Sequence, residues 1–256
     1  MFSFAELKGR LIVSCQALPD EPLYGAPIMG RMALAAKEGG AAAIRAQGTA
    51  DIRAIRELAG LPVFGLIKRS YADSDIYITP TSGEVRELIA AGCEVIALDM
   101  TDRVRPQGER TEDLVVLIHA AGRAVLADIS TYEEGLEAAG IGADAVATTM
   151  SGYTPYSPQT DGPDIALVKR LAAALSVPVF AEGRIWTGEE VKAVMQAGAF
   201  APIIGSAITR PQCIAASFAR ALAPESSRSA LYGQIMTAGQ DKRKGDCYAD
   251  YFYRRL

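Results

Sequence analysis

Eight short runs of apolar residues punctuate the chain: Leu11 to Cys15, Ala42 to Ala46, Val63 to Ile67, Val95 to Leu98, Ala124 to Ala127, Ala145 to Thr148, Val177 to Ala181 and Pro202 to Ile204. They are nearly continuous in hydropathy rather than alternating, as parallel strands require when both of their faces are buried. The stretches between them carry helical periodicity. From Gly83 to Ala91, Val85, Leu88 and Ile89 fall on one side while Glu84, Arg86 and Glu87 fall on the other; from Glu189 to Ala197, Val191, Val194 and Met195 form the inward stripe. Gly92 and Gly198 then stand where a helix ends in a left-handed residue. An Ala-Gly phrase recurs at Ala91-Gly92, Ala121-Gly122, Ala139-Gly140 and Ala197-Gly198, which marks a repeated strand-helix unit. Eight such units predict a single (β/α)8 barrel of the α/β class, with an open doubly wound sheet as the structural competitor. Pro202 removes one ladder donor from the last strand.

The barrel is assigned to residues 1–223. From Pro224 the pattern changes to serines, then Asp241-Lys242-Arg243-Lys244, then a Tyr-rich end, so 224–256 is read as a C-terminal tail, disordered or forming an added helix. Half of the 256 residues are apolar and 22% are charged, enough for one large core. A net charge of -4 with both signs interspersed offers no basic face to neutralise a nucleic-acid backbone. Every apolar run falls well short of the roughly 20 residues that span a bilayer. Cys15, Cys93, Cys213 and Cys247 have no paired spacing and MFSFAELKGR has no signal-peptide core, which reads as reduced thiols in a cytoplasmic protein. The sequence does not fix the oligomeric state; a homodimer is one candidate.

In a closed parallel barrel the chemistry gathers where strands end, so polar residues that terminate apolar runs are the candidates. They are Gln16, Arg45 with Gln47, Lys68, Asp99, Asp128, Thr148 with Thr149, and Glu182. Any one of these could be a solvated strand end. Lys68, Asp128 and Glu182, however, are brought by the fold to one central mouth, where a lysine among carboxylates can carry protons. The last two strands run into Glu182-Gly183-Arg184 and Gly205-Ser206-Ala207-Ile208-Thr209-Arg210, where glycines and a nearby cation suit an anion, best a phosphate monoester. Of the aromatic residues, Tyr153 is expected to face the mouth, whereas Trp186 and Tyr156 are mixed cases. His119 is the single histidine and lies in a helical stretch, so a site that grips a metal with paired histidines cannot be built here. Neither a dinucleotide fingerprint nor a Walker-type phosphate loop is present.

Taken in order, Gln16-Ala17-Leu18, Ala43-Ile44-Arg45-Ala46, Gly65-Leu66-Ile67-Lys68-Arg69, Leu98-Asp99, Leu126-Ala127-Asp128-Ile129-Ser130, Thr148 to Thr154, Ala181 to Ile185 and Gly205 to Pro211 resemble the motifs of bacterial N-acetylmannosamine-6-phosphate 2-epimerases. The resemblance covers roughly residues 5 to 222. It implies cofactor-independent conversion of N-acetylmannosamine 6-phosphate to N-acetylglucosamine 6-phosphate in sialic acid catabolism, with a small phosphorylated amino sugar as the partner and no metal.

The two sugars differ at carbon 2, which is acidic when carbon 1 is an aldehyde, so a base and a second proton carrier are needed. Lys68 is read as the base and Glu182 as its partner. A free lysine titrates at about 10.4, so the site must ease its deprotonation through burial or a cationic neighbour such as Arg45. Gln16, Arg45, Asp128, Tyr153 and Thr154 are then expected on the sugar, and Gly183, Arg184, Gly205, Ser206 and Arg210 on the phosphate. Two rivals remain: an aldolase-type barrel that forms a Schiff base on Lys68, and a barrel kept as a non-catalytic sugar-phosphate sensor.

Overall fold

A computed structural model describes residues 2–222. Its eight strands are β1 (Ile12–Cys15), β2 (Ala43–Gln47), β3 (Val63–Leu66), β4 (Val95–Asp99), β5 (Ala124–Asp128), β6 (Ala145–Ala147), β7 (Val179–Glu182) and β8 (Ala201–Ile204). All neighbouring pairs are parallel, and Ile12 pairs with Ile203 to close the barrel, so the open sheet is ruled out. Pro202 is accommodated opposite Ala181 of β7, while β8 meets β1 through Ile203 and Ile204. The strand predicted from Val177 begins two residues later. The expected tail from Pro224 lies outside the described residues.

The helices are α1 (Ala26–Glu38), α2 (Thr49–Ala59), α3 (Ser82–Ala91), α4 (Thr111–Ala120), α5 (Tyr132–Ile141), α6 (Ile165–Ala174), α7 (Gly188–Gln196), the four-residue α8 (Ser206–Thr209) and α9 (Pro211–Leu222). Helices α3, α5 and α7 start in the same way. Thr81, Thr131 and Thr187 accept a backbone N–H of the first turn, and Glu84, Glu134 and Glu190 reach back to the cap nitrogen. Each such Thr-x-x-Glu box pairs two donors that would otherwise be orphaned. Gly92 and Gly198 have the positive φ expected of them, 87° and 102°. The phrase at Ala139-Gly140 is different: Gly140 lies inside α5, and Gly142, at φ 113°, is the residue that turns the chain. No helix among the described residues is long and apolar enough to cross a membrane.

Strand alternation sorts the core into two layers. Val13, Cys15, Ile44, Ala46, Val63, Ile96, Leu98, Val125, Ala127, Val146 and Val179 pack outward under the helices. Ile12, Ala43, Phe64, Leu66, Val95, Ala97, Ala124, Leu126, Ala145, Ala147, Phe180, Ala201 and Ile203 fill the inside. The bottom is stoppered by aromatic rings. Phe2 and Phe4, from the N-terminal segment, lie 5.3 Å apart between ring centroids; Phe2 meets Phe64, and Phe4 meets Phe64 and Phe180, at 5.8 to 6.3 Å. Continuing the inward parity by one step at the upper ends of the strands brings up Ser14, Arg45, Lys68, Asp99, Asp128, Thr149, Glu182 and Gly205. Polarity is therefore confined to a single end.

Candidate active site

Arg45 forms the floor of the upper cavity. It is 1% exposed, and its fork reaches from β2 across the barrel: Nη2 donates to Asp128 Oδ2 at 2.6 Å, and Nη1 donates to Asp128 Oδ1 at 2.8 Å and to Glu182 Oε2 at 2.7 Å. Burial alone would weaken this cation, but Asp128 and then Glu182 outweigh it, and the guanidinium holds its proton more tightly than an ordinary arginine. Asp128, expected on sugar hydroxyls, is fully buried beneath Arg45, and both of its oxygens are taken. Its Oδ1 also accepts the Thr149 hydroxyl at 2.6 Å. It therefore anchors Arg45 instead of lining the cavity. Arg45, in turn, is matched by two carboxylates rather than standing as a bare cation beside Lys68.

The Glu182 side chain is 13% exposed, and its proton affinity is raised. Burial, together with the nearby Asp128 charge, pushes its carboxyl up to about 7, against the opposing pull of Arg45, Thr149 and Lys68. A carboxyl held there can give or take a proton at neutral pH. Lys68 stands two residues past β3; its backbone N–H donates to Gln47 Oε1 at 3.1 Å, and the chain pairs with Ile78 in an isolated bridge. In the closed order β3 and β7 are four places apart, so Lys68 and Glu182 rise from opposite sides of the mouth.

Both line one open cavity, about 800 Å³ with its mouth included. Gln16, Tyr153, Gly183, Arg184, Gly205, Ser206 and Arg210 line it too, as expected. Gln16 gives its amide nitrogen to Ser14 Oγ at 2.7 Å and leaves its buried oxygen without a protein partner, an acceptor held ready for a ligand N–H. Arg210 is gripped by Glu21, with Nε to Oε2 at 2.9 Å and Nη2 to Oε1 at 2.7 Å, while Nη1 donates to Ser206 Oγ at 2.9 Å. Glu21 thus orients the arginine beside the Gly205-Ser206 turn. No sequence pattern singles Glu21 out, because 189 residues separate the partners.

A second expectation is corrected here. Thr154 is buried away from the mouth, and its hydroxyl donates to Ser130 Oγ at 2.9 Å, because the loop turns inward after Tyr153. The Arg184 side chain is spent on the neighbouring loop at Ser151, Thr160 and Gly162, so what it can offer an anion is its backbone. Conversely, Trp186, Tyr77, Thr149 and Ser14 line the cavity. Thr149 and Ser14 follow from strand parity, whereas Trp186 and Tyr77 sit on loops whose course no local pattern sets. His119 lies outside the site, with Nε2 2.9 Å from Asp144 Oδ2.

Residues 29–224 match a family model described as "Putative N-acetylmannosamine-6-phosphate epimerase". A Clostridium perfringens protein, "Putative N-acetylmannosamine-6-phosphate 2-epimerase", is 58% identical over 212 residues, which cover 83% of this chain and 96% of that protein. One of the same description from Clostridioides difficile is 54% identical over 217 residues, 85% of this chain and 97% of that protein. Among solved structures, one described as the N-acetylmannosamine-6-phosphate 2-epimerase from Clostridium perfringens superposes with a TM-score of 0.83 at 57% identity, covering 84% of this chain and 94% of that one.

Proposed function

Because this chain belongs to the N-acetylmannosamine-6-phosphate 2-epimerase family, we propose that it interconverts N-acetylmannosamine 6-phosphate and N-acetylglucosamine 6-phosphate, one of Lys68 and Glu182 removing the carbon-2 proton and the other supplying a proton to the opposite face. The observation that carries the mechanism is their position across the mouth on β3 and β7, with Arg45 between and below. Inversion at one carbon needs a base on one face and an acid on the other, and opposite strands of a barrel supply both. Lys68 as the amine takes the proton while the electron pair moves to the carbon-1 oxygen; the Glu182 carboxyl then returns a proton to the opposite face of carbon 2. The reverse reaction exchanges these roles.

Gln16 accepts from the N-acetyl amide, and Arg45 supplies positive charge under the developing enolate. The phosphate sits on the Gly183, Arg184, Gly205 and Ser206 backbones beside Arg210, and its binding energy orients carbon 2. The reaction belongs to sialic acid breakdown, and the cytoplasm is where a phosphorylated sugar would be met. A proton NMR time course in deuterated water tests this. Conversion should place one deuterium at carbon 2 of the product. Conversion without deuterium, or a Lys68 adduct trapped by borohydride, would overturn it.

The proton count predicts a pH profile. The working pair holds one proton between Lys68 and Glu182, so protonating Glu182 as well leaves no base. The raised carboxyl therefore places this loss near 7: kcat/KM should fall about tenfold per pH unit below about 7. The substrate phosphate has its own ionisation near 6. A single acid limb at that lower value, with none near 7, would assign the titration to the substrate and remove Glu182 from the pair.

A further inference from the structure

The Arg184 guanidinium is 7% exposed and makes three bonds to one loop: Nε to Gly162 O at 2.9 Å, Nη1 to Ser151 O at 2.6 Å and Nη2 to Thr160 Oγ1 at 3.0 Å. The loop it grips, residues 151–162 between β6 and α6, carries Tyr153 to the cavity wall. The Arg184 guanidinium lies 5.5 Å from the centre of that ring. We propose that Arg184 is a positioning residue that staples this loop to the end of β7 and thereby sets Tyr153 against the sugar. The identity of what Tyr153 faces rests on the epimerase reading above.

Two independent features support the staple. Gly152 leaves room for it: a Cβ there would lie 2.4 Å from Arg184 Nη1 and 3.0 Å from the guanidinium carbon. Arg184 itself sits at φ 55°, directly after Gly183 at φ 105°. Residues other than glycine keep such a backbone only where surrounding contacts hold it, and here the three bonds to the loop do so. The loop also closes on itself around the same residue, since Gly152 N–H donates to Ser157 Oγ at 2.9 Å and Gly152 O accepts from Gln159 Nε2 at 2.9 Å. Gly152 therefore has few alternative positions, and neither partner can be enlarged without displacing the other. A lysine cannot replace the planar fork, because a single ammonium cannot span carbonyls at 151 and 162 together with the 160 hydroxyl.

The test compares the wild type with Arg184→Ala, Arg184→Lys, Gly152→Ala and the double variant Gly152→Ala/Arg184→Ala. In substrate-free protein, the amides of 151–162 should exchange hydrogen faster in every variant. On N-acetylmannosamine 6-phosphate, kcat/KM should fall by about 10²-fold, the scale of a reacting group misplaced by an ångström. Arg184→Lys should be as impaired as Arg184→Ala. The double variant should be no worse than Gly152→Ala, because the added Cβ then has nothing to displace. The loss should fall on kcat more than on KM, because Arg210 and the Gly205-Ser206 turn still hold the phosphate. Wild-type efficiency in Arg184→Lys, unchanged loop exchange in Arg184→Ala, additive losses in the double variant, or a loss confined to KM would each overturn the staple. Hydrogen exchange needs no substrate, so failure of the staple is separable from failure of the epimerase reading, which would appear as a wild type that turns nothing over.

Discussion

Replacing Lys68 with methionine is expected to lower kcat by about 10³- to 10⁴-fold, the upper range for loss of a positioned proton carrier. Methionine keeps much of the aliphatic stem, and the main-chain contacts that fix the position do not involve the side chain: Lys68 N–H donates to Gln47, and the bridge to Ile78 is backbone. The cavity floor and the phosphate-side residues lie on other strands. Binding of the sugar phosphate, followed by titration calorimetry, should therefore change only severalfold. Glu182 loses one of the cations that oppose its burial, so its carboxyl should hold a proton to still higher pH in the variant. A variant that keeps most of the wild-type rate would remove Lys68 from the mechanism; one that loses rate and binding together would make it a binding residue.

Arg45→Met should give the largest loss of stability of any single change at the site. The guanidinium is the counter-charge to two carboxylates, Asp128 at 0% and Glu182 at 13% side-chain exposure. Removing one partner from a buried ion pair costs about 3 to 5 kcal/mol, chiefly because the remaining charge is stranded. The pH dependence has a definite sign. Without Arg45, the Glu182 carboxyl is pushed further above its unfolded value, and a raised group contributes stability at low pH that disappears as pH rises through its folded pKa. Urea denaturation should therefore show a smaller deficit near pH 5 and a larger one near pH 8. A deficit under about 1 kcal/mol, or one independent of pH, would mean that the pair is solvated. Turnover near neutrality should collapse as well, because the enolate loses its nearest positive charge.

The barrel was legible because its signal is local. Eight apolar runs, each followed by a helical stripe, specify parallel strands and crossovers one unit at a time, and strand parity alone carries Lys68, Glu182, Arg45 and Thr149 to the same end. Gln16, Gly205 and Ser206 follow from the same logic, since each lies just past a strand, and Arg210 closes the short helix α8 that follows β8. Glu84, Glu134 and Glu190 sit in Thr-x-x-Glu boxes that are equally local and could have been read in advance.

What the chain alone leaves open is which polar group answers which. Asp128 looks the same in sequence whether it binds a hydroxyl or anchors Arg45; the choice is made by an 83-residue separation that closes to 2.6 Å only in the folded barrel. Arg184 stands beside a glycine in a plausible anion loop, yet its fork turns to carbonyls at 151 and 162 because those are the acceptors the folded loop presents. Thr154 is one residue from Tyr153 but faces the other way, toward Ser130. Trp186 and Tyr77 reach the cavity on loops that have no periodicity to read. Strand and helix patterns arise from backbone geometry that repeats every two or 3.6 residues, so sequence encodes them directly. Pairing among buried charges is settled by desolvation: each must find a partner somewhere in the fold, and only tertiary proximity decides which.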